Sequence, residues 1–268
     1  MKAIIPAAGL GSRFYPVAKS VPKEMLPVGG KPAIQLIVEE ALAAGAGEVI
    51  IVTSPQKPSI MQYFTPDPAW RARVEGKAEA VRALDELDRV SKSVRFVFQH
   101  EQLGLGHAVL QAAPACAGEK EPVLVLLGDA LVKSDAPCAR GLVEVSRAFG
   151  NASVVGLERV PPERVSRYGI AGGTPVRENL LRLDRLVEKP PPDAAPSDLA
   201  VAGRYVLDPR VFACLSACAA GHGGEIQLTD AIQRMLEGGA PVYGCRYPGT
   251  RFDIGNPDGY REVVLAYR

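Results

Sequence analysis

Short continuous apolar runs, each closed by glycine, proline or a polar turn, alternate with helix-spaced stretches along the first half of this chain. Lys2-Ala3-Ile4-Ile5-Pro6 reads as a buried first strand followed at once by a glycine turn. Over residues 32–44, Ile34, Ile37, Val38, Ala41 and Leu42 recur at helical spacing, with a proline start and Gly45 as a stop. Residues 48–53 form a second apolar run, and 94–98 and 122–127 supply two more, with a helix at about 107–113 between them. Residues 69–90 are charged and helical in pattern, as on a solvated helix. A strand–loop–helix–strand beginning predicts a parallel, helix-covered sheet.

The second half is less regular. Strands are predicted at 154–157, 168–171, 183–187, 201–207 and 242–247, and helices at 209–219, 228–237 and 257–266. Pro190-Pro191-Pro192 marks a stiff surface turn. With no internal repeat, low-complexity tail or linker, residues 1–268 read as a single α/β domain with a mixed, mostly parallel sheet.

Composition narrows the class. Hydrophobic residues make up 47% and charged residues 23%, which is ample for a globular core. A formal net charge of +1 gives no general attraction for polyanions, so nucleic acid is not an expected partner. Cys116, Cys138, Cys214, Cys218 and Cys245 form a scattered, odd set without a CxxC pair, which suits reduced thiols in a cytoplasmic protein. No apolar stretch approaches the roughly 20 residues of a membrane span.

Candidate chemistry begins at the first turn. Ala7-Ala8-Gly9-Leu10-Gly11-Ser12-Arg13 lets backbone amides approach a ligand, and Arg13 and Lys23 add cations on proline-restricted segments. Amide-rich backbone with two such cations suits phosphate. The third glycine of a dinucleotide fingerprint is replaced by Phe14, and no P-loop is present. Asp129, after a buried run and Gly128, falls at the carboxyl end of a central strand, where open α/β sheets carry ligands and an acid can hold Mg²⁺. A turn or cap aspartate is the plain alternative. Asp253 is a second candidate ligand from far along the chain. Glu188-Lys189-Pro190 places an acceptor and a cation at a rigid turn, suited to a sugar hydroxyl and a phosphate, or to an ordinary ion pair. Gln99 with Gly104-Leu105-Gly106-His107-Ala108 offers an amide and two glycines to a flat base. His107, near a helix start, reads as structural or capping.

In this order the blocks resemble the sugar-1-phosphate nucleotidylyltransferases, and within them the bacterial UTP–glucose-1-phosphate uridylyltransferases (UDP-glucose pyrophosphorylases). The likeness runs from residues 5–13 through Pro22-Lys23-Glu24-Met25-Leu26-Pro27, Gln99 with 104–108, Gly128-Asp129, Val187-Glu188-Lys189-Pro190, Gly203-Arg204-Tyr205-Val206-Leu207, residues 224–230 and Asp253-Ile254-Gly255-Asn256. The blocks at 22–27 and 224–230 favour the uridylyl over the thymidylyl branch. The resemblance implies a Rossmann-like three-layer αβα nucleotidyltransferase of glycosyltransferase-A type, with a nucleotide-binding half at about 1–130 and a sugar-phosphate half at about 131–268. It further implies that Arg13 and Lys23 hold the triphosphate, Asp129 and Asp253 bind Mg²⁺, and Lys189 holds the sugar 1-phosphate with Glu188 on sugar hydroxyls. Ala8, Gly9, Gly11, Gln99 and Gly104 would line the nucleotide pocket with Glu24 nearby, and Gly169 and Val201 would approach the sugar. The implied reaction joins UTP and glucose 1-phosphate into UDP-glucose and pyrophosphate, in a dimer or tetramer. The alternatives are a dTTP-dependent thymidylyltransferase and a non-catalytic nucleotide-sugar-binding relative. Two departures stand out: Gly128 where the family more often has Pro, and Ser12 for Thr.

Overall fold

The computed structural model describes residues 1–267. The first strand, β1 (Lys2–Pro6), runs into the glycine turn, and a two-residue ladder of β2 (Pro27–Val28) and β3 (Lys31–Pro32) precedes helix α1 (Ala33–Ala43). Strand β4 (Glu48–Thr53) follows. Helix α2 (Pro58–Phe64) comes next, and the charged stretch after it is two helices, α3 (Pro68–Arg73) and α4 (Ala78–Ser91), interrupted at Gly76, whose φ is 88°. Next come β5 (Val94–Phe98), α5 (Leu105–Gln111), β6 (Val123–Leu126) and β7 (Ala130–Lys133).

The later elements are α6 (Cys138–Ala148), β8 (Ser153–Arg159), β9 (Gly169–Arg177) and β10 (Leu180–Glu188). They continue with β11 (Leu199–Leu207), α7 (Arg210–Ala217), α8 (Leu228–Glu237), β12 (Val242–Arg246), β13 (Thr250–Asp253) and α9 (Pro257–Ala266). The sequence pattern had left out α2, α6, β7 and β13, and had seen only the paired cores of β9 and β10.

Nine strands form one sheet in the order β5-β4-β1-β6-β11-β8-β12-β10-β9. It is mixed, but less parallel than the pattern predicted. The pairings among β5, β4, β1 and β6 and that of β12 with β8 are parallel, whereas β11 and β10 run antiparallel to their neighbours. The parallel half comes from the strand–helix–strand beginning. The antiparallel half comes from hairpins such as β9–β10, whose turn has Asn179 at φ 64°.

Side chains alternate across the sheet with period two. In β1, Ala3 and Ile5 pack with Ile34, Ile37, Val38 and Ala41 of α1, while Ile4 packs on the other face with Ala108 and Val109 of α5. Each fully buried aliphatic side chain of this kind contributes about 1.5–3 kcal/mol.

Because β4, β1, β6 and β5 are parallel, the segments after their carboxyl ends emerge along one edge: 7–14, 54–57, 99–104 and 127–129. β11 runs antiparallel to β6, so its first residues reach the same edge. A further pairing of β9 with β11, Ala200 opposite Ile170, folds the hairpin back toward that edge. Beneath it Arg204, wholly buried, donates to the Glu40 carboxylate of α1, to Ala130 O at 2.8 Å and to Gly203 O at 3.1 Å. Truncating one partner of such a buried pair costs roughly 3–5 kcal/mol.

Candidate active site

A cleft of about 450 Å³ opens along this edge. Ala8, Gly9 and Gly11 form one wall, and Gln99 and Gly104 face into the same cleft from the segment after β5. Lys23, Glu24 and Asp129 line it as well, so most of the sequence-selected nucleotide residues converge. Arg13 is on the exposed 3-10 turn Ser12–Phe14, next to Ser12 of the lining but not itself in it.

Close backbone packing explains the glycines. A Cβ on Gly128 would fall 2.7 Å from Pro6 O, so the loop before Asp129 can lie against the end of β1 only as glycine. Gly104 has φ 104°, and a Cβ there would meet Glu225 Cβ at 2.6 Å and Ile226 O at 2.8 Å. Gly106 N donates to Ile226 O and Ile226 N to Leu103 O, both at 2.8 Å. The 224–230 block, recognised only as a family signature, therefore backs the turn beside Gln99. Gln99 is buried, and its amide nitrogen reaches Gly104 O at 3.2 Å and His107 Nδ1 at 2.9 Å. His107 is thus occupied in orienting Gln99, consistent with a structural histidine.

The charged wall is tightly paired. Lys23, on a 3-10 turn bracketed by Pro22 and Pro27, places Nζ 2.6 Å from Asp129 Oδ2. Burial opposes both charges, yet the Lys23 ammonium holds the Asp129 carboxyl below its ordinary range. Burial likewise opposes the Lys23 charge, but Asp129, Glu24 and Asp253 together raise it above the ordinary value.

Asp253 arrives through β13, where it pairs opposite Ala130, and Ile254 N donates to Asp129 O at 2.9 Å. A Cβ on Gly255 would lie 2.7 Å from Asp253 Oδ1 and 3.3 Å from Asp129 Oδ2, so both carboxylates border one small space. No group of three or more metal-ligating side chains occurs among the described residues. Two carboxylates suit Mg²⁺, which keeps the rest of its coordination for phosphate oxygens and water.

The sugar-phosphate candidates form a neighbouring cluster, outside the lining of the cleft. Glu188 pairs across the hairpin with Gly169 and accepts from Thr229 Oγ1 at 2.7 Å. Lys189 Nζ is 3.4 Å from Glu188 Oε1, and its backbone, at φ 45°, donates to Tyr168 O at 2.9 Å. Val201 pairs with Leu157 just before an irregularity in β11 at which Gly203 takes φ 76°. Burial pushes the nearby Tyr205 phenol up, with the Glu188 and Asp129 charges adding.

Sequence reasoning missed three supports. Lys57 donates to Glu24 and to Ala7 O beneath the cleft. Arg251 donates to Glu158 at 2.6 Å and lies 5.2 Å above the Tyr168 ring, linking the strand of Asp253 to the turn of Lys189. Thr229 fixes Glu188. Only Thr229 and Arg251 sat within or beside a quoted motif; nothing local distinguishes Lys57 from a surface lysine.

The family model described as Nucleotidyl transferase matches residues 2–268. The chain is 42% identical over 260 residues to the UTP–glucose-1-phosphate uridylyltransferase YngB of Bacillus subtilis (strain 168), covering 96% of this chain and 86% of that protein. It is similar to a solved UDP-glucose pyrophosphorylase in complex with UDP-glucose (TM-score 0.87, 37% identity, 99% of this chain and 97% of that one). It is also similar to the UTP-bound enzyme of Acinetobacter baumannii (TM-score 0.86, 38% identity, 99% and 92%). With its mixed α/β sheet and a family match running almost from end to end, this chain belongs to the nucleotidyl transferase family.

Proposed function

We propose that this enzyme transfers a uridylyl group from UTP to glucose 1-phosphate, giving UDP-glucose and pyrophosphate. The observation that carries the reading is the pairing of Lys23 with Asp129 in a glycine-walled cleft, with Asp253 bordering the same small space as Asp129 and Glu188 and Lys189 at the end of the β9–β10 hairpin. The uridylyltransferase relatives, 42% identical over nearly the whole chain, support uridine over thymidine. The parallel strands, about 1–130, would carry the nucleotide, and the hairpin-rich remainder, about 131–268, the sugar phosphate. The apolar layers on both faces of the sheet support a three-layer αβα arrangement.

The chemistry needs no general base. A phosphate oxygen of glucose 1-phosphate, already anionic, attacks the α-phosphorus of UTP in line; the new P–O bond forms as the bond to pyrophosphate breaks. The difficulty is repulsion: two unit charges ~4 Å apart cost about 4 kcal/mol at an effective dielectric near 20. Arg13 and Lys23 would hold the triphosphate, and Lys189 the attacking phosphate, with Glu188 on sugar hydroxyls. Backbone amides around Ala8, Gly9 and Gly11 would approach the nucleotide, Gln99 and Gly104 would hold its base with Glu24 beside them, and Gly169 and Val201 would flank the sugar. Asp129 and Asp253 would hold Mg²⁺, which supplies positive charge to the phosphates when bound. Alignment of the two substrates makes the attack effectively unimolecular.

No helix among the described residues is long and apolar enough to cross a membrane. A cytoplasmic dimer or tetramer is the setting we propose. Pyrophosphate release measured over UTP, dTTP, CTP, ATP and GTP paired with hexose 1-phosphates tests the assignment. Release chiefly with UTP and glucose 1-phosphate supports it; preference for dTTP, or ligand binding without release, overturns it.

A further inference from the structure

Lys57 is the N-cap residue of α2 and is not among the residues lining the cleft, although its partner Glu24 is. Its ammonium donates to Ala7 O at 2.9 Å and to Glu24 Oε1 and Oε2 at 3.0 and 2.9 Å, which uses all three N–H bonds. Lys57 is 7% exposed and Glu24 1%, so water screens the pair very little. A sealed ion pair is weak evidence for stability, because desolvation cancels much of its attraction.

What surrounds the pair is more informative. Glu24 directly follows Lys23 in the lining of the cleft; burial pushes its carboxyl up, and the Lys57 and Lys23 ammoniums oppose that rise. Lys23, bonded to Asp129, thus shares the cleft wall with a second carboxylate, that of Glu24. The Lys57 ammonium, bonded to both Glu24 oxygens, takes that carboxylate out of competition for Lys23. It also fastens the carbonyl of Ala7, the residue at which the chain leaves β1 for the glycine loop.

We propose that Lys57 is a positioning residue. By neutralising Glu24 it commits Lys23 to Asp129 and the incoming phosphates, and through Ala7 O it pins the first residue of the glycine loop. The proposal rests on the assignment of the cleft to UTP. Without Lys57, Glu24 is a buried carboxylate whose nearest compensating charge is Lys23. Lys23 is then drawn from Asp129, and an uncompensated negative charge faces the triphosphate. Both changes act on UTP, while Glu188 and Lys189 at the sugar phosphate are untouched.

Steady-state kinetics of the full-length enzyme test this, with UTP and glucose 1-phosphate varied in turn and thermal melts confirming folding. Lys57→Met is expected to lower kcat/KM for UTP at least about tenfold, with KM for glucose 1-phosphate changed less than about twofold. The decisive comparison is Lys57→Met with Glu24→Gln in one protein, which removes both charges. It is expected to exceed Lys57→Met in kcat/KM for UTP by at least about fivefold, since Lys23 has lost its competitor.

A merely structural role predicts instead that both KM values rise together as melting falls, and that the double variant restores melting and both KM values alike; a positioning role that fails gives a double variant no better than the single one. Either result overturns the proposal, as does Lys57→Met kinetics within about twofold of wild type. If Lys57→Met does not fold, Lys57→Gln removes the same charge while keeping a donor, and the comparison is repeated on it. Wild-type turnover separates the two levels: no UTP-dependent pyrophosphate release by the wild type defeats the functional reading, whereas unaltered variants of an active enzyme defeat only the role of Lys57.

Discussion

Lys23 Nζ stands 2.6 Å from Asp129 Oδ2, so the cation proposed to hold phosphate and the carboxylate proposed to hold metal neutralise each other in the free protein. In the proposed complex a triphosphate and a divalent cation together would exchange this contact for two charge-assisted ones, Lys23 to phosphate and Asp129 to metal. Either ligand alone strands one member of the pair. Binding of UTP and of metal is therefore expected to be mutually favourable, and by the same factor in each direction.

Asp129→Asn removes a negative charge from both tasks. Mg²⁺-dependent turnover is expected to fall by about 10²–10³-fold, in the range seen when one electrostatic stabiliser is lost. Asp253→Asn is expected to act in the same direction. Near-wild-type rates in pyrophosphate release for either variant would remove that residue from the mechanism.

The same residue sets a pH dependence. Lys23 holds the native Asp129 carboxyl below the ordinary aspartate range, so its stabilising contribution is present above that range and is lost as pH falls through the native value. Melting curves from about pH 7 down to about pH 3, with chelator present, should show wild type more stable than Asp129→Asn at neutrality and the gap closing toward acid. A gap that widens on acidification would contradict the assignment of the shift to Lys23.

Lys189 combines a strained backbone, φ 45°, with the proposed grip on the sugar phosphate. Lys189→Gly relieves a left-handed conformation worth roughly 1–2 kcal/mol in a non-glycine residue, offset in part by the greater freedom of glycine in the unfolded chain. The variant is expected to melt no lower than wild type while its KM for glucose 1-phosphate rises about tenfold or more. Loss of stability without a KM change would make Lys189 a structural residue only.

Arg13 tests the reverse combination. Because it is exposed, Arg13→Ala should alter stability by less than about 0.5 kcal/mol. Its turnover with saturating glucose 1-phosphate is nonetheless expected to fall at least about tenfold. An unaffected kcat and KM for UTP would leave the triphosphate to Lys23 and backbone amides.

The elements that the chain spells out locally are those buried on both sides. The unbroken runs at 2–6, 48–53 and 122–127 can satisfy their backbone and hide their side chains only as central strands, and they were legible without a fold. Helix α6 was not: Asp135-Ala136-Pro137 and Gly141 look like loop, and its apolar face (Ala139, Leu142, Val143) is defined by the sheet and by α1 that cover it. The outer reach of β9 and β10 is exposed and carries Pro175, so only pairing of the hairpin identifies it as strand.

Residue chemistry along the chain determined which groups can meet phosphate, metal and sugar: a glycine turn with nearby cations, an aspartate after a buried run, a Glu-Lys pair at a stiff turn. Their company was decided in three dimensions. Asp253 reaches Asp129 only because β13 pairs with β7, and the Gly169 end of the hairpin that carries Glu188 comes to β11 only because β9 folds back onto it, Ile170 opposite Ala200. Lys57 has no local signature at all, since a lysine acquires a buried role solely from the carboxylate and carbonyl that close around it. Local patterns carry burial and conformational preference, whereas the distance between charges far apart in the chain is a property of strand pairing, which no short stretch of residues encodes.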